Sequence, residues 1–320
     1  MTKQSDTAPV RNTWNRQIDD SGEFIRKETV FRSWIKGDGS SDFSPEAGRY
    51  HLYVSLACPW AHRTLIYRKL KGLEHVISVD VVDPILPGQG WTFERSSPGA
   101  TGDTANGLDI LRQAYQLASP GYDGVVTVPV LWDKAQKTIV NNESSEIIRM
   151  FNSEFQDLAN NPELDLYPED LRDSIDEINS WVYDEINNGV YRAGFAQTQT
   201  AYHSAVSRLF AALDRAEAIL ARSRYLCGDT LSEADIRLFA TLVRFDAVYV
   251  AHFKCNIRRI IDYPNLWGFT RDIYQIPGVA ETVNMEHIKR HYFESHRHIN
   301  PFGIVPDGPK LDFATPHGRG

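Results

Sequence analysis

The chain has 320 residues, 42% of them hydrophobic and 24% charged, enough for one large or two moderate units built around apolar cores. A formal net charge of −8 argues against nucleic acid or an anionic membrane as the main partner. Three cysteines cannot make a disulfide framework, and no apolar run nears the roughly 18 residues of a bilayer span.

Residues 1–45 mix charges, Gly and Ser with Trp14, Phe24, Phe31 and Trp34. The start carries Asp6, Asp19 and Asp20 and no apolar leader, so a cytoplasmic protein is expected. The segment reads as an irregular extension laid over a folded body, since a free tail would hold fewer aromatics. From Tyr50 the alternation of Leu52, Val54 and Leu56 predicts a strand. Pro59 suits a first helical turn, and Ala61, Leu65, Ile66 and Leu70 follow at helical spacing up to Gly72. Ile77, Val79 and Val81 mark a second strand.

Residues 84–107, rich in Gly, Pro, Ser and Thr, are too long for a plain connection and are expected to be functional. A helix is predicted over 108–117, two short strands over 125–133 and 137–141, and a helix over 143–151. A parallel β-α-β unit followed by a helix, a hairpin and a helix is the thioredoxin-like arrangement, assigned to residues 46–155. After a polar linker the pattern turns all-helical over 165–295. Leu171, Ile175, Ile178, Val182 and Ile186 predict one amphipathic helix, and Tyr202, Val206, Leu209, Leu213 and Leu220 another. Ser232 and Asp235 spell a capping box, with Leu231 and Ile236 as its hydrophobic staple. Residues 296–320, rich in Pro and Gly, read as a surface tail. The fold class is therefore α/β plus all-α.

Chemistry concentrates in "SLACPWAHRTL", residues 55–65. Cys58 stands between a strand and a helix, where unpaired N–H groups and the positive end of the helix dipole meet it. Such sites lower a thiol pKa from about 8.5 to about 3.5–7.5. Two units correspond to roughly 2.7 kcal/mol, above the ~2 kcal/mol a dipole supplies at best, so direct N–H···S bonds are required. Ala61 occupies the place of a resolving thiol, so a mixed disulfide on Cys58 needs an external thiol, which points to glutathione.

Two further stretches offer a site for that ligand. In "TVPVL" Pro129 is a candidate cis residue that leaves the backbone of Val128 free for a peptide-like partner. In "NNESSE" Ser144 and the first N–H groups of a helix suit an α-carboxylate, and Glu143 suits an ammonium. Trp91 lies in the long connection as a lid over the thiol. His287 and His291 stand at i, i+4, but no third ligand is placed beside them, and no metal is expected. Cys227 and Cys255 read as small core residues, and Arg258 and Arg259 as a solvated face.

Taken together, "CPWAHR", "VTVPVLWD", "IVNNESSEIIRMFN" and "RFDAVYVAHFKCN" resemble the xi-class glutathione transferases, the glutathionyl-hydroquinone reductases. The likeness runs from about Trp34 to Phe302. It implies a glutathione transferase fold, with a thioredoxin-like domain followed by a helical bundle. It also implies a thiolate Cys58, glutathione held by Trp91, Val128, Glu143 and Ser144, a ring pocket with Tyr191 and Tyr292, and a homodimer. Tyr249 and His252 are further pocket candidates from the last motif. The implied activity is glutathione-dependent reduction of glutathionyl-hydroquinones through a Cys58–glutathione mixed disulfide. An omega-like thioltransferase or dehydroascorbate reductase stays open, as does a non-enzymatic glutathione-binding scaffold.

Overall fold

The computed structural model describes residues 18–320, so Trp14 lies outside the described residues. Strands β1 (Tyr50–Val54), β2 (Ser78–Val81), β3 (Val130–Asp133) and β4 (Thr138–Asn141) form one sheet in the order β2-β1-β3-β4. β1 runs parallel to β2 and antiparallel to β3, and β3 and β4 close an antiparallel hairpin. Around this sheet lie α1 (Pro59–Leu70), α2 (Leu111–Ala118) and α3 (Ser144–Ser153). The thioredoxin-like order read from the sequence is present.

Two boundaries differ, each for a local reason. The strand expected from residue 125 begins at Val130, because Pro129 has no N–H to give a ladder. The helix expected from 108 begins at Leu111, because Ile110 instead bridges Thr92 in extended conformation. The N-terminal extension covers the outer edge of β4. Ser33 N–H donates to the Val140 carbonyl and Asn142 N–H to that of Phe31, which removes an open sheet edge.

The helical part comprises α4 (Arg172–Trp181), α5 (Gly189–Phe195), α6 (Gln199–Leu220), α7 (Glu233–Arg244), α8 (Val250–His252), α9 (Pro264–Gln275) and α10 (Met285–Ser295). Sequence periodicity predicts one helix through Ile186, but the chain widens into a π-helical turn over Val182–Asn187. A second π-helical turn, Phe245–Tyr249, joins α7 to α8. Each adds a residue to a turn and rotates the side chains that follow, a device common at functional sites. Val182 and Ile186 stay buried, so the apolar pattern hides the change. The Asp235 carboxylate accepts from the Ser232 N–H at 2.8 Å, the N3 side-chain half of the capping box, and from the Ser232 hydroxyl at the same distance.

The tail is strapped down rather than loose. Phe313 stacks on Tyr274 at 5.0 Å, and the Arg319 guanidinium donates to the carbonyls of Leu220, Ser223 and Arg224. Among the described residues no helix is long and apolar enough to cross a membrane.

Candidate active site

Cys58 is the N-cap of α1, with extended backbone (φ −76°, ψ 122°) and Pro59 opening the helix behind it. Its side chain is half-buried at the floor of a cleft of about 390 Å³. The loop leading to it is held from the helical part by one buried residue. Arg244, at the end of α7, donates to the carbonyls of Ala57 (2.9 Å) and Leu56 (3.2 Å) and to Nδ1 of His62 (2.9 Å). Because arginine only donates, His62 must carry its proton on Nε2, which donates to Thr282 Oγ1 at 2.8 Å. Burial and the Arg244 charge hold His62 neutral, well below the usual histidine range. Loss of Arg244 would leave two carbonyls and an imidazole unpaired, at ~1–3 kcal/mol each.

The electrostatics of Cys58 correct the sequence expectation of a depressed thiol pKa. Burial pushes the thiol up; the N–H groups of Ala61 and Trp60 and the charges of Arg244 and Arg26 pull the other way without winning. Neither N–H closes a formal capping hydrogen bond to the sulfur. The thiol donates instead toward the Val128 carbonyl at 3.5 Å. Desolvation of the anion thus outweighs the helix N-terminus and holds the thiol pKa above its ordinary value.

One side of the cleft is built by the sheet domain. Val128 is buried, and among the described residues no backbone carbonyl pairs with its N–H. Glu143 caps α3, one oxygen accepting from Ser145 N–H at 3.0 Å and the other facing the Thr29 hydroxyl at 3.4 Å. Ser144 opens the helix, 3% exposed, its oxygen 3.4 Å from the Arg63 guanidinium. Arg63 lies over the Trp60 ring and is held by Asn187 Oδ1 at 2.7 Å; burial lowers its pKa to about 9. Asn187 comes from the first π-helical turn, so that irregularity steadies the α3 N-terminus.

The opposite side is aromatic and comes from the helical part. The Tyr191 and Tyr292 hydroxyls lie 2.6 Å apart, and Tyr292 reaches Tyr249 at 3.0 Å. Burial raises all three tyrosine pKa values, so all three stay neutral. The Tyr191 and Tyr249 hydroxyls also interact directly, so the three form one mutually bonded cluster. Tyr191 and Tyr292 line the cleft; Tyr249 stands behind them and acts through its bond to Tyr292. His252 lies further back, 3.1 Å from His296, and is not part of the wall.

Trp91 lines the cleft too, stacked on His291 with ring centres 5.0 Å apart. Its loop is clamped rather than a free lid. α10 holds it through His291 to the Pro84 carbonyl, His287 to the Pro98 carbonyl and Ser295 to the Leu86 N–H. The two histidines are thus committed to loop carbonyls. His51, Asp80 and Asp103 bring ligand-type atoms within 4.8 Å of one another, but their carboxylates already accept from Thr104, Asn106 and Leu108 and shape the same loop. Cys227 is half-buried and Cys255 buried, away from the cleft lining.

Family models of the glutathione S-transferase N-terminal domain and C-terminal domain match residues 57–154 and 193–272. The glutathionyl-hydroquinone reductase YqjG of Escherichia coli is 57% identical over 314 residues, spanning 96% of this chain and 95% of that protein. PcpF of Sphingobium chlorophenolicum, also named a glutathionyl-hydroquinone reductase, is 52% identical over 93% of this chain and 94% of its own. The crystal structure of the xi glutathione transferase from Phanerochaete chrysosporium superposes with a TM-score of 0.90 at 56% identity, covering 93% of this chain and 96% of that one. This chain belongs to the xi-class glutathione transferases. Glutathione-bound structures exist for YqjG (59% identity, TM-score 0.88, 90% of this chain and 96% of that one).

Sequence reading of this xi-class transferase overlooked the residues that hold the others. Arg244 opens the RFDAVYVAHFKCN run, Arg63 closes CPWAHR and Arg26 lies in the irregular extension, and no local pattern marks any of the three. A run such as "VRFDAVY" offers no sign that its arginine turns inward; only the depth of α7 in the core decides that.

Proposed function

We propose that this protein reduces glutathionyl-hydroquinones to hydroquinones at the expense of glutathione, with Cys58 as nucleophile. The observation that carries the reading is that Cys58, the Val128–Glu143–Ser144 shell and the Tyr191–Tyr292 pair line one cleft. Val128 would pair with the glutathione backbone, Ser144 and the α3 N-terminus would take its α-carboxylate, Glu143 its ammonium, and Trp91 would cover it.

In the first half-reaction the Cys58 sulfur attacks the glutathione sulfur. The C–S bond breaks, its electron pair stays on the ring carbon, and that carbon takes a proton, leaving hydroquinone and a Cys58–glutathione disulfide. The step consumes one proton, which balances the one that Cys58 gives up on becoming the attacking thiolate. A hydroxyl of the Tyr191–Tyr292 pair, turned toward the ring, bonds a ring oxygen and favours the keto tautomer in which the C–S bond is breakable. In the second half-reaction a glutathione thiolate attacks the glutathione sulfur of the disulfide, releasing oxidised glutathione and the Cys58 thiolate, which takes up the proton of the incoming thiol.

We place the enzyme in the cytoplasm as a homodimer, a reading supported by the low cysteine content and by membership of the family. The test is turnover of glutathionyl-menadiol with glutathione, wild type against Cys58→Ser, beside a hydroxyethyl disulfide assay. Fast Cys58-dependent hydroquinone release, above the disulfide rate, is expected. Disulfide or dehydroascorbate reduction without hydroquinone release would make it an omega-like thioltransferase, and glutathione binding without either would make it a scaffold.

A further inference from the structure

Both half-reactions of the proposed cycle run along one line. In the first, the ring carbon leaves the glutathione sulfur opposite the attacking Cys58. In the second, the incoming thiol approaches the same sulfur opposite the departing Cys58. In-line displacement at sulfur therefore puts the ring and the second glutathione sulfur in the same place, one after the other. The aromatic side of the cleft must accept both.

A hydroquinone ring is neutral, whereas glutathione brings two carboxylates. The aromatic side holds a cation that suits only the latter. Arg26, on the N-terminal extension, lies over Trp60 (4.7 Å to the ring centre) and Tyr191 (5.1 Å) and lines the cleft. Its Nε donates to Asn188 Oδ1 at 2.7 Å, which fixes the guanidinium plane. Among the described residues no carboxylate forms an ion pair with it, although neighbouring cleft arginines are paired: Arg32 with Glu146 and Arg237 with Glu233. Its ring contacts put it beside Tyr191, whereas Glu143 and Ser144 belong to α3 of the sheet domain. Residue 26 also precedes the stretches matched by either domain model.

We infer that the aromatic side of the cleft doubles as the binding site of the second, resolving glutathione, and that Arg26 is its carboxylate anchor. The inference rests on the mixed-disulfide reading above. Trp60 and Tyr191 pack against the arginine, Asn188 holds its Nε, and its remaining N–H groups donate to a carboxylate in a charge-assisted contact. When the hydroquinone occupies the site, its ring takes the aromatic surface instead.

The experiment begins with Cys58 glutathionylated by oxidised glutathione, so no hydroquinone chemistry enters. Resolution of that disulfide is timed with glutathione, with its diethyl ester and with 2-mercaptoethanol, for wild type, Arg26→Gln and Arg26→Lys. Wild type should prefer glutathione to the ester by roughly 10-fold, the value of one charge-assisted hydrogen bond. Arg26→Gln should bring the glutathione rate down to the ester rate, and Arg26→Lys should restore part of the preference. Equal losses with all three thiols would show a structural role and overturn the inference. A glutathione-over-ester preference unchanged in Arg26→Gln would overturn it as well. If Cys58 cannot be glutathionylated at all, the proposed function itself fails, and that outcome is visible before any thiol is added.

Discussion

The two sides of the cleft are made differently. The sheet side offers backbone and helix termini: Val128 ahead of Pro129, and Glu143 and Ser144 at the start of α3. The aromatic side offers side chains from three separate places, Tyr191 on α5, Tyr249 at the end of a π-helical turn and Tyr292 on α10. A peptide-like ligand that every turnover shares is suited to fixed backbone donors, while a succession of ring and thiol is suited to hydroxyls, aromatic faces and one arginine. In the proposed cycle binding and chemistry would therefore divide between the sides, with Cys58 at their junction.

Substitutions should separate them. Cys58→Ser should lose on the order of 10³-fold or more in hydroquinone release while still binding glutathione by calorimetry. Tyr292→Phe removes the hydroxyl that joins the other two and should lower kcat by ~10²-fold, with glutathione affinity unchanged. Ser144→Ala should do the reverse, raising KM for glutathione about 10-fold with kcat nearly constant. A Ser144→Ala enzyme defective in kcat alone would break the division.

A pH experiment sharpens it at the junction. Burial disfavours the Cys58 anion more than its surroundings favour it, so its pKa moves up and less thiolate is present at neutral pH than in free cysteine. Alkylation of the ligand-free protein by iodoacetamide should keep rising beyond the free-cysteine midpoint of about 8.5. A midpoint below 7 would mean that the helix N-terminus prevails over burial.

The smallest effect concerns stability rather than catalysis. Burial raises the Asp235 pKa to about 6. Its folded value then exceeds the unfolded one, near 3.9, so the stability it contributes is full below about pH 4 and is lost as pH rises through 6. Urea midpoints compared between wild type and Asp235→Asn should converge across that window. Parallel curves would show that Asp235 does not titrate there.

The division also governs what the sequence could disclose. The sheet side is local: a strand, a cysteine and Pro59 within ten residues, or an Asn-Glu-Ser at a helix start, state their geometry in short runs. The fold followed from the same local logic, apart from boundaries moved by Pro129 and Ile110. The aromatic side is assembled across a hundred residues, so Tyr191 and Tyr292 came only through family likeness, and nothing in their neighbourhoods predicts a hydroxyl contact at 2.6 Å. The π-helical turns escaped because Val182 and Ile186 keep the spacing of an ordinary helix. The direction of the Cys58 shift is not legible, because a sequence shows the helix N-terminus but not the depth of the sulfur.

The central claim is that Cys58 itself carries glutathione between the two half-reactions. A single turnover of glutathionyl-menadiol with excess enzyme and no added glutathione, followed by peptide mass spectrometry, tests it directly. The account predicts one equivalent of hydroquinone released and one glutathione on the peptide containing Cys58, removable by thiol. Hydroquinone release that waits for added glutathione, with Cys58 unmodified, would contradict it.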